Sequence, residues 1–285
     1  MPEPSAYTII TGASEGLGKS LALECAGRNW NLLLVDLPGS RVKNLCAFIK
    51  NNYDVEAEAF EHDLTLEKEC FSFKEEIESR KLPVNRLINN AGIGGTVPFD
   101  EGQARYFEKE ILLNTLAATL LTRLFLENLE KNAPAHILNI GSLAAFFELP
   151  QKQVYAASKA FLYSFSRSLR HELAPKSISV SIVCPGGINT NIPVTLLNKS
   201  GNWLRRTSIM EPEDVARIAI REMLLGKPLI IPGLLNRIFL QLSRLLPPAL
   251  RQHIVNGQMN GLRSQDRLGE YLKLNGKNVQ PILTS

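Results

Sequence analysis

The β-type run Tyr7–Thr11 ends in the turn Thr11-Gly12-Ala13-Ser14-Glu15-Gly16-Leu17-Gly18, and a helical pattern opens directly behind it. From about Leu17 to Asn29 the apolar residues Leu17, Leu21 and Cys25 fall on one stripe. Glycines at such a turn let the backbone reverse tightly and come close to a pyrophosphate. The helix that follows presents unpaired N–H groups and the positive end of its dipole at the same place. A bare strand–helix turn has the same glycines, so the motif gains meaning only from what surrounds it.

The next run, Asn31–Asp36, is apolar almost throughout, as a strand covered on both faces should be. The alternation then repeats. Helical patterns near 40–51, 66–79, 102–131 and 153–173 separate β-type runs near 55–60, 86–89, 136–140 and 178–184. A further helix starts at Glu211-Pro-Glu-Asp, with acids in its first turn, and a short apolar strand lies within 228–232. Such alternation predicts an α/β fold, a doubly wound parallel sheet of about seven strands with helices on both faces. No composition break or repeat falls before about residue 190. Residues 1–232 are therefore expected to form one catalytic domain, and 233–285 a C-terminal helical extension.

Composition narrows the function classes. The chain has 285 residues, 45% of them hydrophobic and 21% charged, enough for a large core without metals or disulfides. A scattered net charge of +4 argues against a nucleic-acid partner. Cys25, Cys46, Cys70 and Cys184 lack metal or redox spacing and read as reduced thiols. His62 and His171 fit neither a metal site nor a triad, so no metal is expected. The N-terminus has no secretory pattern, and no run is long enough to span a bilayer. The expectation is a cytoplasmic enzyme.

Asp36 ends the second strand, twenty residues after Gly16. A dinucleotide fold places there the acid that hydrogen-bonds the adenosine ribose hydroxyls. A carboxylate would repel the 2′-phosphate of NADP, and Glu15 adds charge on the same side. No cation adjoins either acid, so NAD is predicted over NADP. A plain strand-end or capping acid is the bland alternative.

Several further motifs follow in order: Asn89-Asn90-Ala91-Gly92, Ser142, Tyr155-Ala-Ala-Ser-Lys159, and Pro185-Gly186 with Thr190. Together with the glycine turn, this series resembles the short-chain dehydrogenase/reductase family over roughly residues 5–232. The resemblance implies a Rossmann-type fold and a homodimer or homotetramer. It implies that Gly12, Ser14, Glu15, Gly16, Leu17 and Gly18 hold the pyrophosphate. It implies adenine contacts from Asp63 and Leu64, and ribose contacts from Asn90, Ala91 and Gly92. Pro185, Gly186, Ile188 and Thr190 would meet the nicotinamide. Asn114 would serve a proton relay, and Lys159 would bond the nicotinamide ribose.

Tyr155 and Lys159 are spaced i, i+4 on a helix and share one face. A free tyrosine titrates near ~10, and an adjacent ammonium should lower that value. The phenol could then act as general acid or base between a secondary alcohol and a ketone. Ser142 would stabilise the substrate oxygen. Taken alone, such a pair is commonly a surface contact and such a serine a turn cap. Asn114 stands out because a buried amide needs partners. Two other functions stay open: a dinucleotide-binding regulator or scaffold, and a family member with non-hydride chemistry such as an epimerase or dehydratase.

Residues 188–210 should cover the substrate. Ile192, Val194, Leu196, Leu197 and Trp203 suggest an apolar or mixed small molecule, with Arg205 and Arg206 available to an anionic group. In the extension, Leu235, Ile238, Leu242 and Leu245 fall on one helical face and Arg237, Arg244 and Arg251 recur every seven residues. That stripe is expected to pack on the body or on another subunit, with a membrane surface as the alternative through 234–252. Residues 234–246 could also wall the substrate pocket. The residues from about Gly276 read as a frayed end.

Overall fold

The computed structural model describes residues 6–189, 209–247, 249–252 and 256–257. In chain order it contains β1 (Tyr7–Thr11), α1 (Gly16–Ala26), β2 (Asn31–Asp36), α2 (Val42–Asn52), β3 (Ala57–Glu61), α3 (Glu67–Ser79) and β4 (Val84–Asn89). There follow α4 (Ala104–Ile111), a π-helical turn Leu112–Ala117, α5 (Ala118–Lys131), β5 (Ala135–Ile140), α6 (Gln153–Leu173) and β6 (Ile178–Val183). The C-terminal elements are α7 (Pro212–Leu224), β7 (Leu229–Ile230) and α8 (Leu234–Leu245).

The seven strands form one parallel sheet in the order β3-β2-β1-β4-β5-β6-β7. Its centre is apolar on both faces because both are covered. Leu32 and Leu34 of β2 look into a core shared with α1, α2 and α7. Leu33 and Val35 look the other way, into a core shared with α3 and α5. Strand period two thus sends alternate residues of one apolar run into two separate cores. The strand order reverses between β1 and β4, and in open α/β sheets a crevice opens at the carboxyl ends of the strands at such a point.

The expected continuous helix over 102–131 is interrupted. An extra residue per turn between Leu112 and Ala117 makes a π segment around Asn114. A π-bulge shifts the helix register, and such bulges cluster at functional sites. Asn114 is 1% exposed and must find partners, which the shifted register aims at the loop after β4.

The C-terminal helix departs further from expectation. The polar Asn236 and Ser243 lie buried against the body beside Leu240. Leu235, Ile238 and Leu242 are about half exposed, and Leu245 is 81% exposed. The leucine stripe therefore does not pack on the body. Contacts with Gly186 and Phe147 bring the opposite face inward. Thr190 and the expected substrate-covering residues Ile192, Val194, Leu196, Leu197, Trp203, Arg205 and Arg206 lie outside the described residues, as does the segment from Gly276.

Candidate active site

The predicted site residues fall at the carboxyl ends of successive strands. Gly12–Gly18 follow β1, Asp36 ends β2, Asp63 and Leu64 follow β3, Asn90–Gly92 follow β4, Ser142 follows β5, and Pro185–Ile188 follow β6. They come from distant sequence because parallel strands all point their ends the same way.

The first turn is tied to the fourth strand. Thr11 Oγ1 accepts from the backbone N–H groups of Asn90 (3.0 Å) and Ala91 (2.9 Å). Asn90 Nδ2 donates back to the carbonyls of Thr11 and Gly12, each at 2.9 Å. Gly12 has φ +63° and Gly16 +51°, which suit glycine. A Cβ on Gly18 would meet the Gly12 carbonyl oxygen at 1.9 Å, so the third glycine is a packing requirement. Glu15, the N-cap of α1, makes no side-chain capping bond, and no acid stands in the first turn. The first-turn N–H groups are thus left uncapped by side chains, as an anion site requires. Leu17 offers backbone alone, because its side chain is in the core.

Asp36 accepts from Ser14 N–H at 2.7 Å and from Leu37 N–H at 2.8 Å. The carboxylate is thereby held beside the glycine turn. Asp63 Oδ1 takes Thr65 N–H and hydroxyl at 3.0 and 2.7 Å, and Leu64 is buried. His62 Nδ1 meets Glu69 at 2.9 Å, a satisfied polar contact. All four cysteines are free and buried, Cys46 and Cys70 as well as Cys25 and Cys184.

At the chemical centre, Tyr155 and Lys159 share the sheet-facing side of α6. Lys159 is buried and its Nζ donates to the Ile140 carbonyl at 2.9 Å. Its Nζ lies 5.7 Å from the Tyr155 ring centroid. Ser142 Oγ caps the turn after β5, accepting from Ala144 N–H at 3.1 Å, and Ser142 favours the ionised form of the Tyr155 phenol. Asn114 Oδ1 accepts from Ile93 N–H at 2.9 Å. Its Nδ2 donates to the Ile93 carbonyl at 2.8 Å and to Ser158 Oγ at 3.0 Å. A Cβ on Gly92 would lie 2.9 Å from Asn114 Oδ1 and 3.4 Å from Lys159 Nζ, so this glycine lets the loop close over both. The structure thus brings Asn114, Ser142, Tyr155 and Lys159 around one corner of the crevice.

The electrostatics differ from expectation at one point. Burial pushes the Lys159 ammonium down from 10.5 to about 8. Burial pushes the Tyr155 phenol up, and the influence that lowers it comes from Ser142 rather than Lys159. The reason is desolvation: both groups leave water together, and that cost outweighs their mutual effect. The phenol is therefore protonated at neutral pH, the form a general acid needs.

Several participants are silent in the motif pattern. Glu110 lies on α4 one turn before Asn114, 2% exposed, with Oε1 unpartnered. Burial raises its carboxyl, while Lys152 and Lys159 pull it down, and its charge in turn raises Tyr155. The signal was an acid at i−4 from Asn114 on the helix face that must be buried. Gly94 abuts the Tyr155 ring, where a Cβ would lie 2.6 Å from Cδ2. Asn236 of α8 seals Gly186, where a Cβ would meet its side-chain amide at 2.9 Å. Below the site, Asn89 Nδ2 donates to Asn139 and Asn139 Nδ2 to Ser166, at 2.8 Å each, linking β4, β5 and α6. An open cavity of about 800 Å³ lies on another side of α6, lined by Phe99, Phe146, Phe147, Ala157 and Ala160, with Tyr155 absent from its wall.

A doubly wound sheet with this corner defines a dinucleotide-fold protein of the short-chain dehydrogenase type. Residues 6–200 match the family model described as short chain dehydrogenase, and the chain belongs to that family. It is similar to a very-long-chain 3-oxoacyl-CoA reductase of Pyrenophora tritici-repentis, 31% identical over 212 residues, covering 72% of this chain and 59% of the relative. The chain thus spans about three-fifths of that relative's length. A 3-oxoacyl-[acyl-carrier-protein] reductase of Aquifex aeolicus is 28% identical, covering 75% of this chain and 88% of the relative. Among solved structures, a short-chain dehydrogenase from Sphingobium yanoikuyae in complex with NADPH superposes with a TM-score of 0.71 at 26% identity, covering 98% of each chain.

Proposed function

We propose that this protein is a nicotinamide-dependent oxidoreductase that interconverts a secondary alcohol and a ketone. The observation that carries the reading is the buried Lys159 one turn after Tyr155 on α6, its Nζ held by the Ile140 carbonyl at 2.9 Å and lying 5.7 Å from the Tyr155 ring centroid, with Ser142 lowering the phenol against burial. Packing this ammonium and a phenol out of water costs stability, and such a cost is typical of functional sites.

The residues fit a dinucleotide. Gly12, Ser14, Glu15, Gly16, Leu17 and Gly18 would receive the pyrophosphate on uncapped N–H groups. Asp36 would take the adenosine ribose, with Asp63 and Leu64 beside the adenine and Asn90, Ala91 and Gly92 beneath. Pro185, Gly186, Ile188 and Thr190 would line the nicotinamide end. When bound, the nicotinamide supplies or accepts the hydride. In reduction, the Tyr155 hydroxyl donates its proton to the substrate oxygen, and Ser142 Oγ hydrogen-bonds that same oxygen as charge develops on it. Lys159 orients the nicotinamide ribose and holds positive charge behind the phenol. Asn114 acts as a positioning residue, pinning the Ile93 backbone against the site and leaving the relay corner in shape.

NAD is the proposed cofactor, because Asp36 is held by Ser14 and Leu37 where a 2′-phosphate would sit. The NADPH complex of the Sphingobium relative weighs toward NADP. The substrate is read as an apolar or mixed ketone, and the names of the reductase relatives favour a 3-oxoacyl thioester. Residues 1–232 are read as the catalytic domain and 233–285 as a C-terminal extension, whose α8 adds a wall through the Asn236–Gly186 and Phe239–Phe147 contacts. A cytoplasmic homo-oligomer remains the expected form.

The test is oxidation of NADH and of NADPH with 3-oxoacyl thioesters and simple ketones. Tyr155→Phe should abolish turnover and keep dinucleotide affinity. Tight dinucleotide binding with no turnover of any carbonyl or alcohol would instead favour the regulator reading.

A further inference from the structure

Helix α8 is turned inside out relative to an ordinary surface helix. Its buried positions are Asn236, Leu240 and Ser243, at 3%, 1% and 4% exposure. Its outward face is Leu234, Leu235, Ile238, Leu242 and Leu245, and Leu250 continues it after the helix ends. The spacing 234, 235, 238, 242, 245 follows one side of an α-helix. Single exposed leucines are ordinary, but a contiguous apolar face of this length marks a contact surface.

The charge around that face selects the occupant. From Gly233 to Gln265 the sequence contains no aspartate or glutamate, but it carries Arg237, Arg244, Arg251 and Arg263. Their +4 equals the net charge of the whole chain. Arg251 is paired with Glu148. Arg237 donates to the Ile231 carbonyl, and Arg244 lies over the Phe146 ring, so both charges stand without a described acid. A second copy docking by this face would bring arginine rows together with no acid to meet them. An anionic bilayer complements both features: apolar side chains enter the acyl boundary while arginines stay at the headgroups.

We infer that α8 is an interfacial membrane helix that seats the protein on an anionic lipid surface through Leu234, Leu235, Ile238, Leu242 and Leu245. The helix lies in the interface plane. Its 12 residues are too few to span a bilayer, and among the described residues no helix is long and apolar enough to do so. Its inner face touches Gly186 and Phe147, so docking sets the bilayer against the outer wall of the candidate site. The inference stands on the surface alone and is independent of catalysis.

The experiment is vesicle flotation of the full chain. Vesicles of phosphatidylcholine are compared with vesicles holding about one part in three phosphatidylglycerol, at low and high salt. The triple variant Leu234→Gln, Leu242→Gln, Leu245→Gln changes only exposed positions, and its thermal unfolding serves as the folding control. The expected result is binding to anionic vesicles that salt weakens and the triple variant reduces at least about tenfold, with unfolding unchanged. No binding to anionic vesicles overturns the inference, as does equal binding to neutral ones. So does a dimer that the triple variant dissociates, since a second copy would then own the face. Vesicle binding seen only after removal of residues 258–285 overturns it too, since that segment would be the occupant in the full chain.

Discussion

Lys159 Nζ donates to the carbonyl oxygen of Ile140 at 2.9 Å, within the core under the sheet's carboxyl edge. The carbonyl fixes where the ammonium stands but does not repay its desolvation, as the drop to about 8 indicates.

That depression makes Lys159 costly to the fold. A shift from 10.5 to about 8 corresponds to about 3 kcal/mol. Between these values the unfolded chain binds more protons than the folded one, so stability rises with pH through that window, and the whole penalty applies below it. Lys159→Met should stabilise the protein by about 1–2 kcal/mol at pH 7, less than the full shift because Ile140 loses its donor. Urea unfolding of both proteins should show the gap narrowing from pH 7 to pH 10. A variant less stable than the parent at pH 7 would contradict this, whatever its activity.

Glu110 acts on the same pair through charge. Its carboxylate raises both Tyr155 and Lys159. Glu110→Gln should therefore move the pH profile of kcat/KM for alcohol oxidation to lower pH. Because burial raises the Glu110 carboxyl itself, the folded chain holds its proton more tightly than the unfolded one. The parent thus loses stability as pH climbs above the ordinary glutamate range, and the glutamine variant should be the more stable at neutral pH but not in acid. An unmoved profile would remove Glu110 from the site's electrostatics.

Asn114 holds the Ile93 backbone at both its N–H and its carbonyl. Asn114→Ala leaves these groups and Ser158 short of partners in a buried place. The expected cost is about 2–4 kcal/mol, read by denaturant titration. The loosened loop should also lower kcat more than it raises KM for the dinucleotide. A variant of unchanged stability would mean that water replaces the amide.

Asp36 sets the cofactor contest. Asp36→Asn removes the charge and keeps an acceptor for Ser14 or Leu37. The ratio of kcat/KM for NADPH to that for NADH should rise by about tenfold or more. A parent enzyme already preferring NADPH would sink the assignment of NAD.

Much of this was legible beforehand because the signals were local. Alternating apolar runs and helical stripes placed every strand of the sheet to within a few residues, and the glycines marked the turn after β1, where Gly12 and Gly16 take a positive φ that suits glycine. The short-chain dehydrogenase motifs picked out Ser142, Tyr155 and Lys159, which the fold does gather. What escaped depended on neighbours far along the chain. The π turn at Asn114 exists because Ile93 offers that amide its partners, and no helical period announces it. Glu110 reads as one more surface acid until α6 closes over it.

The sequence by itself determined the α/β alternation, the turn after β1 and the set of reactive side chains, since each follows from backbone preferences and spacing. Only the tertiary structure decided the ionisation of Tyr155 and Lys159, because desolvation depends on everything packed around a group. It also decided which side of α8 faces outward. The leucine stripe promised core, yet Asn236, Leu240 and Ser243 take the inward side, with Asn236 packed on Gly186 and Phe239 on Phe147, and the leucines are left outside.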